Sequence, residues 1–322
     1  MTNEKQVYLI NLYSYVCQTY RDKLQYLCMR MSNNKVPIFS DEELLTVYLF
    51  CGAFEQRLNI KAKHTFAKEY LLDWFPKLPS YQTFNARLNR MGDVLKTFVD
   101  DILDSLKPDD IDLYNSIVDS MPIMLCTGRN RHGKVAREVA DKGYCSTKEQ
   151  YYYGVKLNIL AYRRKGTIPF PEHYVITPAS ENDGTVFKRD LAANLHDKNI
   201  FADKIYQDAA FWEQMQGQQL TLYSPFKKIK GESPVISRMF KAARDLYSSA
   251  VSSVRQPIEA FFNWLNEKTN IQRAHKVRSI QGLWVHLMDL RPSGQYPHSS
   301  RPGRRNKPHT ECTSRTWTGL CC

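Results

Sequence analysis

The spacing of apolar residues changes once along this chain, near residue 110, and that change limits the folds it can adopt. Before it, apolar residues recur every three or four positions, as in GDVLKTFVDDILDSL at residues 92–106, which predicts an amphipathic helix. After it, segments rich in aromatic and β-branched residues predict strands. We therefore expect an all-helical N-terminal region followed by an α/β domain.

The second region begins with three predicted strands in succession and continues with alternating helices and strands. The predicted strands are residues 114–119 (ended by Pro122), 151–162, 173–180, 204–208 and 220–226. The predicted helices are residues 185–195, 209–216 and 242–268. This order favours a mixed sheet with flanking helices.

The N-terminal region combines several short helices with tight turns. Ser40 and Glu43 form a predicted capping box ahead of the apolar run LLTVYLFCGAF. The segment YQTFNARLNRM would suit a helix-turn-helix module, in which Gln82, Asn85 and Arg87 reach DNA. A plain helical packing unit is the alternative.

Charge and cysteine usage narrow the functional class. The net charge of +12 favours a polyanionic partner such as nucleic acid, although an ordinary basic protein is the alternative. The N-terminus lacks a signal-peptide pattern, and the longest apolar run is too short to span a bilayer. The scattered cysteines suit a reducing cytoplasm: Cys17, Cys28, Cys51, Cys126 and Cys145. We expect a cytoplasmic protein without a membrane segment.

Three carboxylates are candidates for a metal site. Asp119 and Asp208 each end a predicted strand, and strand ends of an open α/β sheet border the crevice that binds ligands. Glu259 borders the apolar stripe of a later helix near its Pro257 start. Carboxylates that lie close together repel, and a divalent cation relieves that repulsion. The alternatives are turn or cap roles for the aspartates and a Glu259 pair with Arg255.

Several motifs resemble the DDE transposases of bacterial insertion sequences. They are IVDSMP, DKGYCSTKEQYYYGVKLNIL, IYQDAAFW, RQPIEAFFNWLNEKTN and SIQGLWVH, and the likeness extends over roughly residues 1–286. Within that family, the group numbered nine-eight-two is the most similar. The resemblance implies a ribonuclease-H-like catalytic domain in which Asp119, Asp208 and Glu259 bind the metal.

The resemblance also implies a reaction and its partners. The enzyme would cleave the ends of an insertion sequence and transfer them to target DNA by two-metal phosphoryl transfer. The cofactor would be Mg²⁺, with Mn²⁺ as a possible substitute, and no organic cofactor is expected. A homo-oligomer would hold two DNA ends in a synaptic complex.

Basic and aromatic residues near the predicted cleft are candidates for DNA binding. Arg255 and Glu259 match the R-x-x-x-E part of a related signature, while Ser252 and Asn266 replace its tyrosine and lysine. We expect Tyr144, Lys148, Lys156 and Arg255 to contact DNA, with Lys142 nearby. Residues 129–134, including Arg129, Arg131, His132 and Lys134, form a basic loop that is more simply a solvated surface.

The expected organisation has three parts: a helical, DNA-binding region at 1–110, a catalytic domain at 111–287, and a tail at 288–322. The segment RSIQGLWVHLM predicts an amphipathic helix, but the tail after it is rich in Pro, Ser and Arg. We expect this tail to be disordered or the product of a frameshift, with a natural basic tail as the alternative. Two rival functions remain open: a hydrolysis-only nuclease of the same fold and a non-catalytic DNA-binding regulator.

Overall fold

Four of the N-terminal helices begin at residues whose side chains cap them: Thr2, Ser40, Asn59 and Ser80. The computed structural model describes residues 1–28, 37–53, 55–128, 133–227 and 231–288. Ser40 Oγ accepts from the N–H of Glu43, and Glu43 Oε2 accepts from the N–H of Ser40, which confirms the capping box. The helices of this region are α1 (Asn3–Thr19), α2 (Gln25–Cys28), α3 (Asp41–Ala53), α4 (Ile60–Tyr70), α5 (Tyr81–Leu88) and α6 (Gly92–Ser105).

Two expectations fall on residues outside the described ranges. The tail beyond Met288 is one of them, so neither its predicted disorder nor the frameshift is addressed by the structure. The other is the basic loop, of which Arg129, Arg131 and His132 are not described.

The α/β region is built on one mixed sheet. Its strands are β1 (Ile111–Thr127), β2 (Asp141–Cys145), β3 (Gln150–Arg164), β4 (Phe170–Pro178), β5 (Lys198–Phe201) and β6 (Leu220–Tyr223). The order is β2-β3-β1-β5-β6, and β4 pairs with β3 next to β2. The pairs β1–β3, β2–β3 and β3–β4 are antiparallel, whereas the pairs β1–β5 and β5–β6 are parallel. The predicted mixed sheet with flanking helices is confirmed.

Two of the strand predictions were wrong, each for a local reason. β1 continues through Pro122 instead of stopping there, because β5 pairs with β1 only from Asn115 to Ile117. A proline beyond that point need not donate a hydrogen bond to β5. Residues 204–208 are not a strand, since the Asp203 side chain caps a short 3₁₀ helix, Lys204–Tyr206.

The sheet is covered on both faces. Alternate residues of β1 point to opposite sides, so Ile117 and Met121 join a core with the N-terminal helices, and Val118 joins a second cluster with Phe187 and Leu191. The covering helices are α7 (Asp183–Val186), continued by a π-helical turn at Phe187–Leu191, then α8 (Ala209–Gln214), α9 (Pro234–Arg255), α10 (Pro257–Thr269) and α11 (Ile280–Leu287).

The N-terminal helices and the sheet share one continuous core. Residues of α1, α3, α6, β1, β3, α10 and α11 all belong to it. Tyr48 of α3 donates its hydroxyl to the carbonyl of Val285 in α11 at 3.1 Å. Leu283 and Leu287 of α11 are buried, as its predicted apolar face requires.

Within the described ranges, none of the helices has the length and apolar character needed to cross a bilayer.

Candidate active site

Asp119 is a charged residue in the middle of a buried strand. It lies on β1 between Val118 and Ser120, opposite Ile159 of β3, and its side chain is 22% exposed. Burial raises the pKa of the Asp119 carboxyl to about 6, because the ionised form loses hydration there. The carboxylates of Asp203 and Asp183 add to this rise, while Arg255 opposes it.

The pairing of β1 with β5 explains why Asp203 is close to Asp119. The parallel register pairs Ser116 with Ile200 and Ile117 with Phe201, a constant offset of 84 residues. Two residues further along each chain are Asp119 and Asp203, so both aspartates follow the same paired segment. Neighbouring strands lie about 5 Å apart, so equivalent positions just beyond the end of β5 are close together, and the charge of Asp203 acts on Asp119.

Arg255 connects Asp119 to Glu259. It lies at the C-terminal end of α9, and its Nη1 donates to Asp119 Oδ2 at 2.9 Å. Its Nη2 donates to Glu259 Oε1 at 3.1 Å. The Arg255–Glu259 pair expected as the alternative role of Glu259 is therefore present, but it is shared with Asp119. One guanidinium thus bridges a strand carboxylate and a helix carboxylate.

The local sequence sets the position of Glu259. Pro257 occupies the first turn of α10, and Ile258, Phe261 and Leu265 are buried against the sheet. This packing leaves Glu259 at the border of the buried stripe, with a side chain that is 57% exposed. It can therefore reach both Arg255 and a ligand in solution.

Asp208 lies elsewhere, in contrast to the expected grouping with Asp119. It is the N-cap of α8, where its Oδ1 accepts from the N–H of Phe211 at 3.3 Å. Its other oxygen forms an ion pair with Lys188 of the π-helical turn. The hydrogen bond from Lys188 lowers the pKa of Asp208, with a further contribution from the Phe211 N–H. These contacts fit the cap role that was considered as its alternative.

Asp183 is a further carboxylate near this group. It begins α7 and accepts hydrogen bonds from Lys156 Nζ and Ser120 Oγ, both at 2.8 Å. Ser120 and Asp119 are neighbours on β1, so their side chains point to opposite faces. Asp183 therefore approaches the strand end from the other side of the sheet.

Tyr206 is a buried tyrosine whose pKa responds to several of these acids. Its side chain is 3% exposed, and burial raises its pKa. The charges of Asp183, Asp119 and Asp203 contribute to the same rise, in that order, because they oppose formation of a phenolate. Three aspartates therefore influence one buried hydroxyl.

The residues expected to contact DNA occupy different environments. Tyr144 of β2 is 52% exposed, and its ring lies 5.0 Å from that of Tyr151. Lys148 donates to Gln272 Oε1 at 3.1 Å in an exposed setting. Lys156 is bound to Asp183 and to the carbonyl of Glu181, so its charge is already neutralised.

The helix expected to read DNA presents only part of the predicted set. On α5, Gln82 is exposed and Asn85 is half-buried. Arg87 instead turns inward, where it donates to the Phe39 carbonyl at 2.6 Å and to Asp41 Oδ1 at 2.5 Å. The interpretation of Arg87 as a DNA-reaching residue was wrong, because its guanidinium is committed to these buried acceptors.

The carboxylates suit a hard divalent cation by their chemistry. Asp and Glu oxygens are the protein ligands that Mg²⁺ prefers. The pKa of Asp119 is raised chiefly by burial, with smaller contributions from Asp203 and Asp183. Within the part of the chain that the structure describes, no group of three His, Cys, Asp or Glu side chains is arranged to hold a metal. Arg255 bonds to both Asp119 and Glu259 and so takes up the oxygens that a cation would use.

Asp203 and Asp183 were missed as candidate site residues, and the sequence contains a weak signal for each. Asp203 follows the short strand β5, whose sequence is KNIF. A strand was predicted at the neighbouring KIYQD instead of at KNIF. Asp183 follows the correctly predicted strand β4 and the N-cap Asn182. An acid soon after every strand, including short ones, would have been the useful criterion.

The strand order and the carboxylates at its central strands define a ribonuclease-H-like α/β domain with a polar site at the strand ends. A family model described as the transposase DDE domain matches residues 113–288. Because the match covers more than half of the 322 residues, the chain belongs to the DDE transposase family. No curated protein matches the chain.

Family membership defines the general activity. The protein is a transposase, an enzyme that cleaves DNA, and its substrate is DNA. Transposases of this family generally use divalent metals. The narrower group numbered nine-eight-two stays a prediction, since the family model does not distinguish it.

Proposed function

We propose that this transposase cuts the ends of an insertion sequence and joins them to target DNA at the site around Asp119. The observation that carries the proposal is the shared guanidinium: Arg255 binds Asp119 on the central strand and Glu259 on α10. Asp119 and Glu259 are 140 residues apart in sequence, yet both contact the same guanidinium.

The metal ligands in this proposal are Asp119, Glu259 and a second aspartate. The sequence predicts Asp208 for that position, but the contacts of Asp208 with Lys188 and the start of α8 favour a capping role. Asp203 has the better support, because it continues the β1–β5 register beside Asp119 and contributes to its raised pKa. We therefore propose Asp203, with Asp208 as the alternative.

Mg²⁺, or Mn²⁺ as a substitute, would be held by these carboxylates. When bound, such ions activate a water or a DNA 3′-hydroxyl as nucleophile and stabilise the leaving oxygen, which is the two-metal mode of phosphoryl transfer. The donor set is anionic and oxygen-only, in agreement with the preference of Mg²⁺.

The chain's own contribution is to hold the acids ionised and in place. Arg255 favours the ionised form of Asp119 and also forms an ion pair with Glu259. The Ser120 N–H donates to Asp119 Oδ1 at 2.9 Å and fixes the orientation of the carboxylate. The buried Nε of Arg255 has no acceptor within the described residues, so one donor beside Asp119 is left unsatisfied.

DNA would approach the exposed side of this site. Tyr144 offers a ring for stacking, and Lys148 offers a charge on the β2–β3 connection. Residues 1–110 are the proposed DNA-recognition region, with Gln82 as its exposed polar side chain on α5. Joining two DNA ends requires two active sites, so we propose that the working form is a homo-oligomer.

A cleavage and joining assay tests this function. The substrates are duplexes from the DNA flanking the gene, either intact or pre-cut at the element end, incubated with Mg²⁺, Mn²⁺ or EDTA. We expect metal-dependent nicking of intact ends and joining of pre-cut ends to a target plasmid. Nicking without joining would identify a hydrolysis-only nuclease, and metal-independent binding without either would identify a regulator.

A further inference from the structure

The helix α9 is unusually exposed for its length. It contains 22 residues, and only Val251 is buried. Large apolar side chains on it nevertheless face solvent, and Val235, Met239 and Leu246 are 69%, 68% and 74% exposed. A face of this kind marks an interaction surface more often than a solvated one.

These three side chains form one stripe. At about 100° per residue, Val235, Met239 and Leu246 lie within roughly 40° of one another around the helix. We call this set the α9 stripe. Val251, the residue that packs on the body of the protein, lies about 140° away from Leu246. The α9 stripe therefore points away from the body and is open to a partner.

The middle and the flank of the stripe have further features. Ala242 and Ala243 stand midway between Met239 and Leu246, and such small side chains let two helix backbones approach closely. Arg238 and Asp245 are one heptad apart, so they share one flank of the stripe. Within the described residues, neither forms an ion pair; Arg238 donates only to the carbonyl of Pro234, one turn earlier.

We propose that the α9 stripe is a dimer interface, occupied by α9 of a second copy of this chain in antiparallel orientation. A two-fold axis between Ala242 and Ala243 places Met239 against Leu246 of the second copy, and Val235 against its Ala250. In an antiparallel pair, like flanks meet. Arg238 then lies about 3 Å along the axis from the level of Asp245 of the second copy, within reach of an ion pair.

Charge complementarity distinguishes this occupant from DNA. A helix that contacts the phosphate backbone presents cations, whereas the α9 stripe presents aliphatic side chains. The nearby Arg244 is committed to Glu232, with Nη–Oε distances of 2.7 and 2.6 Å. The flank carries one positive and one negative charge, Arg238 and Asp245, and a second copy in antiparallel orientation brings an opposite charge near each of them.

The geometry also sets the spacing of the two active sites. Arg255 lies at the end of α9, twelve to thirteen residues from the proposed axis. Two antiparallel helices therefore separate the two Arg255 residues by roughly 40 Å along the pair. This dimer does not depend on which aspartates bind metal.

The test is the oligomeric state of the full chain without DNA, by light scattering and sedimentation across a concentration series. We expect a dimer at about 100 µM, and a dimer dissociation constant raised at least about tenfold by Leu246→Glu or Met239→Glu. Lys241→Glu, on the opposite side of the same helix, changes the charge by two units and should leave the constant unchanged. Circular dichroism checks that each variant is folded.

A charge exchange tests the register. Arg238→Asp and Asp245→Arg should each weaken the dimer by about tenfold, and the two together should restore it to within about threefold. A wild-type chain that is monomeric at about 100 µM overturns the proposal, as does a dimer that Leu246→Glu leaves intact. Stripe variants that weaken DNA binding without changing the oligomeric state would assign this face to DNA instead.

Discussion

Arg255 donates a 2.9 Å hydrogen bond to Asp119, joining the end of α9 to the middle of β1 across 136 residues of sequence. The same guanidinium donates to Glu259, so one cation connects both acids. Carboxylates that lie close together repel one another unless a cation offsets their charge. Here Asp203 and Asp183 raise the pKa of Asp119, and Arg255 opposes that rise.

Removing Arg255 should expose this repulsion. Arg255→Ala leaves Asp119 in a largely buried position without its cation, and we expect a loss of about 2 kcal/mol in the free energy of unfolding in EDTA. Mn²⁺ should restore more stability to this variant than to the wild type, since the metal then supplies the missing charge. Thermal unfolding with EDTA and with Mn²⁺ measures both effects.

Arg189→Ala is the matched control for that experiment. Arg189 also bridges two carboxylates, Glu181 and Asp190, but its side chain is 53% exposed. Exposed pairs contribute little, so its removal should change stability by less than about 1 kcal/mol. Equal effects of the two substitutions, with no difference in the response to Mn²⁺, would contradict the role given to Arg255.

The raised pKa of Asp119 predicts a pH dependence of stability. The folded protein binds this proton more tightly than the unfolded chain, so stability falls as pH rises from about 4 to about 6 and then levels off. Asp119→Asn removes this cost. In EDTA, we expect the variant to be more stable than the wild type by up to about 3 kcal/mol above pH 6, with the difference vanishing near pH 4.

Asp208→Asn should lower stability, whereas Asp119→Asn should raise it. Its pKa is lowered by Lys188, so the ionised form stabilises the fold above the ordinary pKa and this contribution is lost at low pH. The variant should therefore be slightly less stable than the wild type at pH 7. The measurement is the unfolding temperature of each variant, relative to the wild type, between pH 4 and pH 8. If both substitutions shifted it in the same direction above pH 6, the two aspartates would not differ electrostatically as described.

Arg87 should act on stability and not on DNA recognition. Arg87→Ala leaves the Phe39 carbonyl and Asp41 without their buried donor, and we expect a loss of about 2–4 kcal/mol in denaturant titrations. Gln82→Ala, on the exposed face of the same helix, should change stability by less than about 0.5 kcal/mol. A fully stable Arg87→Ala variant that no longer binds DNA would restore the earlier interpretation of this residue.

The two lysines near the site should differ in their contribution to DNA binding. Lys148 is exposed, so Lys148→Ala should reduce the slope of log K against log salt by about 0.9, as expected for one phosphate contact. Lys156 is neutralised by Asp183, so Lys156→Ala should leave the slope unchanged and lower stability instead. Binding titrations over a salt series measure the slopes, and a reduced slope for Lys156→Ala would show that its charge reaches DNA.

Much of the fold could be predicted because its signals are local. The apolar period of α6, the capping box at Ser40 and the aromatic, β-branched composition of β3 are each contained in a short segment. β5 is different: KNIF has four residues, two of them polar, and it is a strand because it pairs with both β1 and β6. A segment that forms a strand because of the strands beside it cannot be recognised from its own few residues.

The part of the candidate site that has a local sequence signal was predicted, and the part that depends on strand pairing was not. Asp119 and Glu259 stand out locally, as an acid in an apolar strand and an acid beside an apolar helical stripe. Choosing between Asp203 and Asp208 requires the parallel register of β1 and β5, which no local pattern contains. The bridging role of Arg255 likewise depends on the packing of α9 and α10 against the sheet.

The most direct test of the proposed active site compares Asp203→Asn with Asp208→Asn in the Mg²⁺-dependent cleavage assay, with DNA affinity measured in parallel. We expect Asp203→Asn to reduce cleavage by about a thousandfold or more, as Asp119→Asn and Glu259→Gln should, because residues of one catalytic unit fail together. Asp208→Asn should stay within about tenfold of the wild type, since its exposed pair with Lys188 contributes little. Loss of cleavage in Asp208→Asn with full activity in Asp203→Asn would contradict the account.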